Sequence, residues 1–383
     1  MKKLNKAIWS NADIEQIVDE VSDRVENPSQ SEYQKFVGLE DFESGQFKIK
    51  KWGSTENLVS AMKLFKKGDL LFARRNAYLK RASEVDFDGV CSGDAIVLRE
   101  KSKIEKGLLT FILNTDRFWE YAIANAAGTM SKRVKWRDLA KYKFLLPPPA
   151  EQKQIAALFQ SIEAAMEQVD GQEKNLHQLK HKLLKDLFSE KQEFGNHLKA
   201  KDFETVKFEK IAVNISERVE PKKSELTTYV GLVHLDDDNL KIERTGTPDD
   251  VIGTKLKIYK GDIIFGKRRA YLRKVAVSHF DGIASAHSMI LRANEKNIEK
   301  DFLPYFMQSD TFMSRAVQIS EGSLSPTIKN KTLAVQEFIL PKKEKQKELI
   351  SVLKQFDTTM EQLKQQKTTL KNLKQKLLNE ILG

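Results

Sequence analysis

Two stretches of the chain carry a hydrophobic residue at every seventh position. One stripe is Ile155, Ile162, Val169, Leu176 and Leu183; the other is Leu349, Phe356, Leu363, Leu370 and Leu377. A companion stripe three residues on runs Leu158, Ala165, Gln172, Leu179 and Asp186, and again Val352, Thr359, Gln366, Leu373 and Glu380. Lys, Gln and Glu fill the outer positions. Five heptads of this kind predict two long helices that pair as a coiled coil. The first begins where Pro147-Pro148-Pro149 stops the preceding segment. Each helix, about 38 residues long, spans roughly 57 Å at ~1.5 Å per residue. The alternative is that each helix packs only on its own domain. The chain order of domain, helix, domain, helix favours an antiparallel pair, with Gln172 and Gln366 close together at mid-helix and fixing register. Before each helix, runs such as 68–79 and 94–98 read as strands and 108–126 as short helices, which gives an α+β class.

The chain repeats itself. Lys67-Gly68-Asp69-Leu70-Leu71-Phe72-Ala73-Arg74-Arg75-Asn76-Ala77-Tyr78-Leu79-Lys80-Arg81 returns as Lys260-Gly261-Asp262-Ile263-Ile264-Phe265-Gly266-Lys267-Arg268-Arg269-Ala270-Tyr271-Leu272-Arg273-Lys274, 193 residues on. Val37-Gly38-Leu39 matches Val230-Gly231-Leu232, and Phe144-Leu145-Leu146-Pro147 matches Phe338-Ile339-Leu340-Pro341. Collinear matches over nearly the whole length identify a tandem duplication, for which pseudo-two-fold symmetry is expected.

Composition narrows the class. Two domains fit in 383 residues, and a 40% hydrophobic content builds a core for each. No apolar run approaches the ~18 residues of a membrane span. The basic start, Met1-Lys2-Lys3-Leu4-Asn5-Lys6, is followed by no apolar stretch, so a cytoplasmic protein is expected. The single cysteine, Cys91, excludes an internal disulfide and a cysteine zinc site. A net charge of +11 points to a polyanionic partner, without distinguishing DNA from RNA or an acidic protein.

The cations concentrate at repeated places. Arg74, Arg75, Asn76, Tyr78, Lys80 and Arg81 form one cluster; Lys267, Arg268, Arg269, Tyr271, Arg273 and Lys274 form its copy, and neither contains an acidic residue. Such clusters neutralise phosphates, and an arginine fork reads guanine; a solvated basic face is the plain alternative. A second pair lies before each helix: Thr129, Ser131, Lys132, Arg133 and Lys135 after Gly128, against Ser323, Ser325, Thr327, Lys329 and Lys331 after Gly322. Glycine, hydroxyls and lysine suit close approach to phosphates or base edges. Arg24 and Arg218 make a third, weaker pair. Pro326 and Thr327 stand where the first loop has Lys132 and Arg133, so any bases read should differ.

Enzyme signatures are absent. There is no G-x-G-x-x-G, no phosphate-binding loop and no Asn/Asp-Pro-Pro-Tyr/Phe of an amino-methyltransferase. Glu151-Gln152-Lys153 opens a helix without the acidic strand a nuclease needs. His177 and His181 have the i,i+4 spacing of helical metal ligands, yet Lys371 and Gln375 replace them in the other copy, so a solvated face is expected and no metal is assigned. Asp88 and Asp281 precede glycines and read as turn residues.

The pattern resembles the specificity subunit of type I restriction–modification enzymes across essentially the whole chain. Its most specific element is Leu-Pro-x-x-x-x-Gln-x-x-Ile/Leu at each helix start, here Leu146 to Ile155 and Leu340 to Leu349. The resemblance implies two target recognition domains, 1–148 and 204–342, two spacer helices, 149–190 and 343–383, and a linker, 191–203. It further implies that each domain reads half of a split double-stranded DNA target. Two methyltransferase subunits would methylate adenine with S-adenosylmethionine that they bind themselves, and restriction/translocase subunits would join with ATP and Mg. No catalytic residue, cofactor or membrane is expected for this chain. An autonomous, repressor-like DNA-binding protein remains the alternative, with an enzyme acting alone behind it.

Overall fold

The computed structural model describes residues 4–189, 191, 193–195 and 197–383; residues 1–3 of the basic start and 190, 192 and 196 at the helix end and linker lie outside the described residues. The chain divides into two compact units, Met1–Asp170 with Gln365–Gly383, and Gly171–Lys364. Each unit therefore holds one strand-rich domain and half of each long helix, Pro149–Leu187 and Lys343–Leu382.

Both units use one sheet plan. In the first, Ser10–Asp13 pairs antiparallel with Lys143–Leu146. A four-stranded sheet follows in the order Val18–Val21, Ala95–Glu100, Leu70–Ala73, Ala82–Glu84. A five-stranded sheet contains Arg24–Val25, Met62–Phe65, Gly89–Cys91, Lys35–Val37 and Gly53–Ser54. The second unit repeats the pair as Phe203–Lys207 with Glu337–Pro341. It repeats the four-stranded sheet as Ala212–Ile215, Ser288–Ala293, Ile263–Gly266, Val275–Val277. A parallel strand pairing recurs as well, Phe36 with Val90 and Tyr229 with Ile283.

The repeated strand explains itself by its alternation. All of Leu70–Ala73 is buried. Leu70 and Phe72 join the core shared with the helices, whereas Leu71 and Ala73 join the core under the other sheet. Side chains alternate faces along a strand, so a strand covered on both sides must be apolar throughout. Asp69 closes the turn before it: its carboxylate accepts from Lys66 N at 2.8 Å and takes Arg99 as a fork, both bonds at 2.7 Å. Asp262 and Arg292 do the same in the second unit. Gly68 and Gly261 sit at φ +90° and +94°, where a side chain would be strained. Asp88 and Asp281 accept from Lys67 N and Lys260 N, which ties the loop before Gly89 or Gly282 to the repeated Lys-Gly-Asp turn.

The helix-start glutamines are buried clamps. Gln152 accepts from Glu105 N at 2.7 Å and donates to Pro147 O at 2.8 Å. Gln346 accepts from Glu299 N and donates to Pro341 O at 2.8 and 2.9 Å. Each satisfies two backbone groups where the chain leaves the sheet and enters the helix.

The half-helices are antiparallel within each unit. In the first, Glu163 pairs with Lys374 at 2.7 Å and, one heptad on, Asp170 pairs with Lys367 at 2.6 Å, one heptad back. In the second, Lys180 pairs with Asp357 at 2.6 Å and Leu184 shares a core with Leu353. The seventh-position stripe lies inward, with Ile155, Ile162, Val169 and Leu363 buried and Leu176, Leu183, Leu349, Phe356, Leu370 and Leu377 half-buried. The companion row does not line the seam as its spacing predicts. Gln172 and Gln366 are exposed, as are Leu179, Val352 and Leu373. The inner row falls four residues on, at Phe159, Met166, Glu173, Lys180 and Leu187, and at Leu353, Met360, Lys367, Lys374 and Ile381. Lys180, Lys367 and Lys374 are held in this row by Asp357, Asp170 and Glu163, pairing that offsets the cost of burying their charges.

Candidate nucleic-acid interface

The basic turns have a strained backbone in both units. After the strand, the chain makes a single 3-10 turn, Ala77–Leu79 or Ala270–Leu272, flanked by left-handed residues. These are Asn76 at φ 56° and Lys80 at 49°, then Arg269 at 58° and Arg273 at 52°. Non-glycine residues held in this region cluster at functional sites. The turn leaves Tyr78 and Tyr271 exposed.

The second candidate loop closes onto this turn through the backbone. In the first unit Asn76 N donates to Lys132 O at 3.1 Å and Val134 N to Arg74 O at 2.9 Å. In the second, Arg269 N donates to Pro326 O at 2.8 Å and Ile328 N to Lys267 O at 3.0 Å. The two regions that the repeat singles out thus form one surface in each unit. Their side chains join too: Arg75 Nε donates to Ser131 Oγ at 2.6 Å, and Arg268 Nη2 to Ser325 Oγ at 3.1 Å.

The two surfaces differ in charge. Asp94 takes Arg133 at 2.7 Å and lies 3.7 Å from Arg75, and the Arg133 guanidinium holds its carboxyl below the usual range despite burial. His287 stands at the equivalent place in the second unit, 3.2 Å from Arg268, with Thr327 in place of Arg133. Burial first, then Arg268, Lys267 and Lys255, push the His287 imidazole down. A cleft beside it is lined by Arg218, Lys255, Lys267, Thr327, Lys329 and Asn330, with no acidic residue on its wall. Burial, then Arg218, lowers Lys267. The third candidate, Arg218, so meets the first two here. Arg24 is exposed on a strand paired at Lys63.

Several expected contacts instead brace the fold. Arg81 donates to Leu39 O and Arg75 O at 2.8 and 3.3 Å, and Lys80 pairs with Asp116 at 2.8 Å. Arg273 binds Asp238, Asp310 and Gln308 O, and Lys274 donates to Leu232 O. Lys329 pairs with Glu321 at 2.5 Å. Thr129, Lys132, Lys135, Arg269, Ser323 and Lys331 are exposed. Pattern reading passed over two features. One is the Asp94/His287 exchange, visible only in the aligned copies. The other is the loop-tip pair Met130 and Leu324, 100% and 90% exposed at matching positions.

The family model described as type I restriction modification DNA specificity domain matches residues 31–178 and 218–372. The type I restriction enzyme MjaVIII specificity subunit of Methanocaldococcus jannaschii is 23% identical over 313 residues, 77% of this chain and 73% of that protein. The EcoDI specificity subunit of Escherichia coli is 25% identical over 262 residues, 60% of this chain and 58% of that protein. Among solved structures, a chain from work on complex assembly and conformational transition of the type I R-M system aligns with TM-score 0.58 at 20% identity, covering 99% of this chain and 98% of that one. The type I restriction–modification S subunit from M. genitalium aligns with TM-score 0.57 at 15% identity, covering 100% and 97%.

Proposed function

Because this chain belongs to the type I restriction–modification DNA specificity family, we propose that its paired basic and hydroxyl loops read the two halves of a bipartite double-stranded DNA target. The observation that carries this is recurrence. In both units a strained basic turn is hydrogen-bonded to a Gly-Ser loop, and in the second they border a cation-lined cleft. Cations neutralise phosphates and fix position, while hydroxyls and arginine forks address base edges. Met130 and Leu324 project from the loop tips as apolar contacts for base edges or base steps. The Asp94/His287 exchange supports different base preferences for the two halves.

In this reading the chain is the non-catalytic component of its complex. Adenine methylation belongs to two partner methyltransferase subunits that bind S-adenosylmethionine. Restriction belongs to translocating subunits that use ATP and Mg. The chain works in the cytoplasm and needs no membrane. The exposed apolar positions of the half-helices, among them Leu179, Val352 and Leu373, are available to such partners.

Methylation-sensitive genome sequencing of cells holding this chain and its methyltransferase partner tests the reading. The expected result is methyladenine in one split motif, absent without the chain. Tight protection of a split site by the purified chain alone, with no methylation in cells, would instead establish the repressor-like alternative.

A further inference from the structure

We propose that the second unit contains a transition-metal site of two imidazoles and one carboxylate, His177, His181 and Asp238, suited to Zn2+ or Co2+. Among the described residues, one ligand atom from each of the three lies within 4.8 Å of the others. His177 and His181 lie one turn apart on the first long helix, their rings 4.5 Å apart, and His181 Nε2 is 3.1 Å from Asp238 Oδ2. Imidazole and carboxylate together suit zinc and its first-row neighbours, whereas calcium and magnesium ask for oxygen alone. A bound ion needs its ligand atoms at about 2.0–2.2 Å, and the exposed His177 ring is placed to swing the remaining distance.

The internal repeat supplies a control. In the first unit the matching helix positions are Lys371 and Gln375, and the matching loop residue is Gly45. Lys80 stands where the second unit has Arg273, while other neighbouring contacts are shared. Lys48 pairs with Glu167 in one unit and Lys241 with Glu361 in the other, and the bridges from Lys48 to Glu84 and from Lys241 to Val277 correspond. Gly45 has φ 76°, a conformation that suits glycine; Asp238 occupies the same conformation at φ 53°. Three substitutions coincide at one spot, and one places an aspartate where the backbone favours glycine. Arg273 engages one oxygen of that aspartate, and the other is turned to the imidazole of His181, where a ligand role accounts for it.

Asp238 is also oriented from behind. Arg273 Nε donates to its Oδ1 at 3.3 Å, while Oδ2 faces His181. Outer partners of this kind fix a ligating carboxylate. Arg273 also pairs with Asp310 and donates to Gln308 O, so the ion would tie the second half of the first long helix to the basic turn of the second unit.

Titration calorimetry of the full chain with Zn2+ at neutral pH tests this, with the visible spectrum of the Co2+ form reporting coordination. The expected result is one ion per chain, a tetrahedral Co2+ spectrum and a rise in Tm. Affinity should fall by more than about tenfold in His181→Ala and in Asp238→Gly. Asp238→Gly installs the residue the first unit carries at this conformation and leaves Arg273 its bonds to Asp310 and Gln308 O, so it should fold. His234→Ala, outside the cluster, should bind as the parent does. Equal affinity and stoichiometry in His181→Ala and Asp238→Gly, or no uptake by the parent at micromolar Zn2+, overturns the site.

Discussion

A buried glutamine at each helix start satisfies one backbone donor and one backbone acceptor. Replacing Gln152 or Gln346 with alanine leaves both groups buried and unpaired. A loss of about 1–3 kcal/mol in unfolding free energy is expected for each, readable by urea denaturation; unchanged midpoints would show that water takes over the bonds. Arg268 has a different duty, since its guanidinium reaches a loop hydroxyl and an imidazole beside the cation-lined cleft. Arg268→Ala is expected to weaken DNA binding and lower the slope of log affinity against log salt by about one. An unaltered slope would place this residue off the phosphate backbone. The glutamine motif and the arginine run are both legible in the sequence as recurring letters. What the arginines touch is not, because whether a guanidinium faces outward or grips a carbonyl, as Arg81 does, depends on segments distant in the chain.

Among the elements, the long helices separate what periodicity reveals from what it hides. The seven-residue apolar row follows directly from the sequence, since Ile155, Ile162 and Val169 are hydrophobic and buried. The second inner row escapes a hydrophobicity pattern because it includes Glu173, Lys180, Lys367 and Lys374. Lys374 is almost wholly buried, its ammonium pushed down by burial and pulled back by Glu163, and it lies 3.6 Å from the Phe47 ring centre. Removing its partner is the harsher change. Glu163→Ala is expected to cost on the order of 3–5 kcal/mol, whereas changing both residues to leucine should cost far less or nothing. A double-mutant cycle on thermal stability measures the difference, and equal losses in both variants would contradict the argument. The sheet order was not legible either: strands of two to six residues set their neighbours by long-range pairing, which local pattern does not encode.

For the molecule as a whole, the repeat is the most informative feature in the sequence, and the two units keep one strand order apart from the extra edge strand Gly53–Ser54 in the first. Each long helix contributes residues to both units. Seven residues inserted into the first helix alone, within 170–185, would keep every stripe in phase yet displace Lys180 from Asp357 relative to the residues before it. The expected outcome, read by methylation sequencing, is a methylated motif with a longer gap or loss of assembly with the methyltransferase; an identical motif would remove the helices from spacing control.

The division of the chain also bears on how it is made. Gly171–Lys364 is one continuous stretch, complete as soon as its last residue leaves the ribosome. The other unit is not: Leu378, Ile381 and Leu382 fill its core beside Ile155 and Phe159. Residues 1–170 must therefore wait for residues 365–383, with part of their apolar interior uncovered until those have been made. A nascent chain that stalls before residues 365–383 emerge would leave the core of the early unit open to chaperones and proteases.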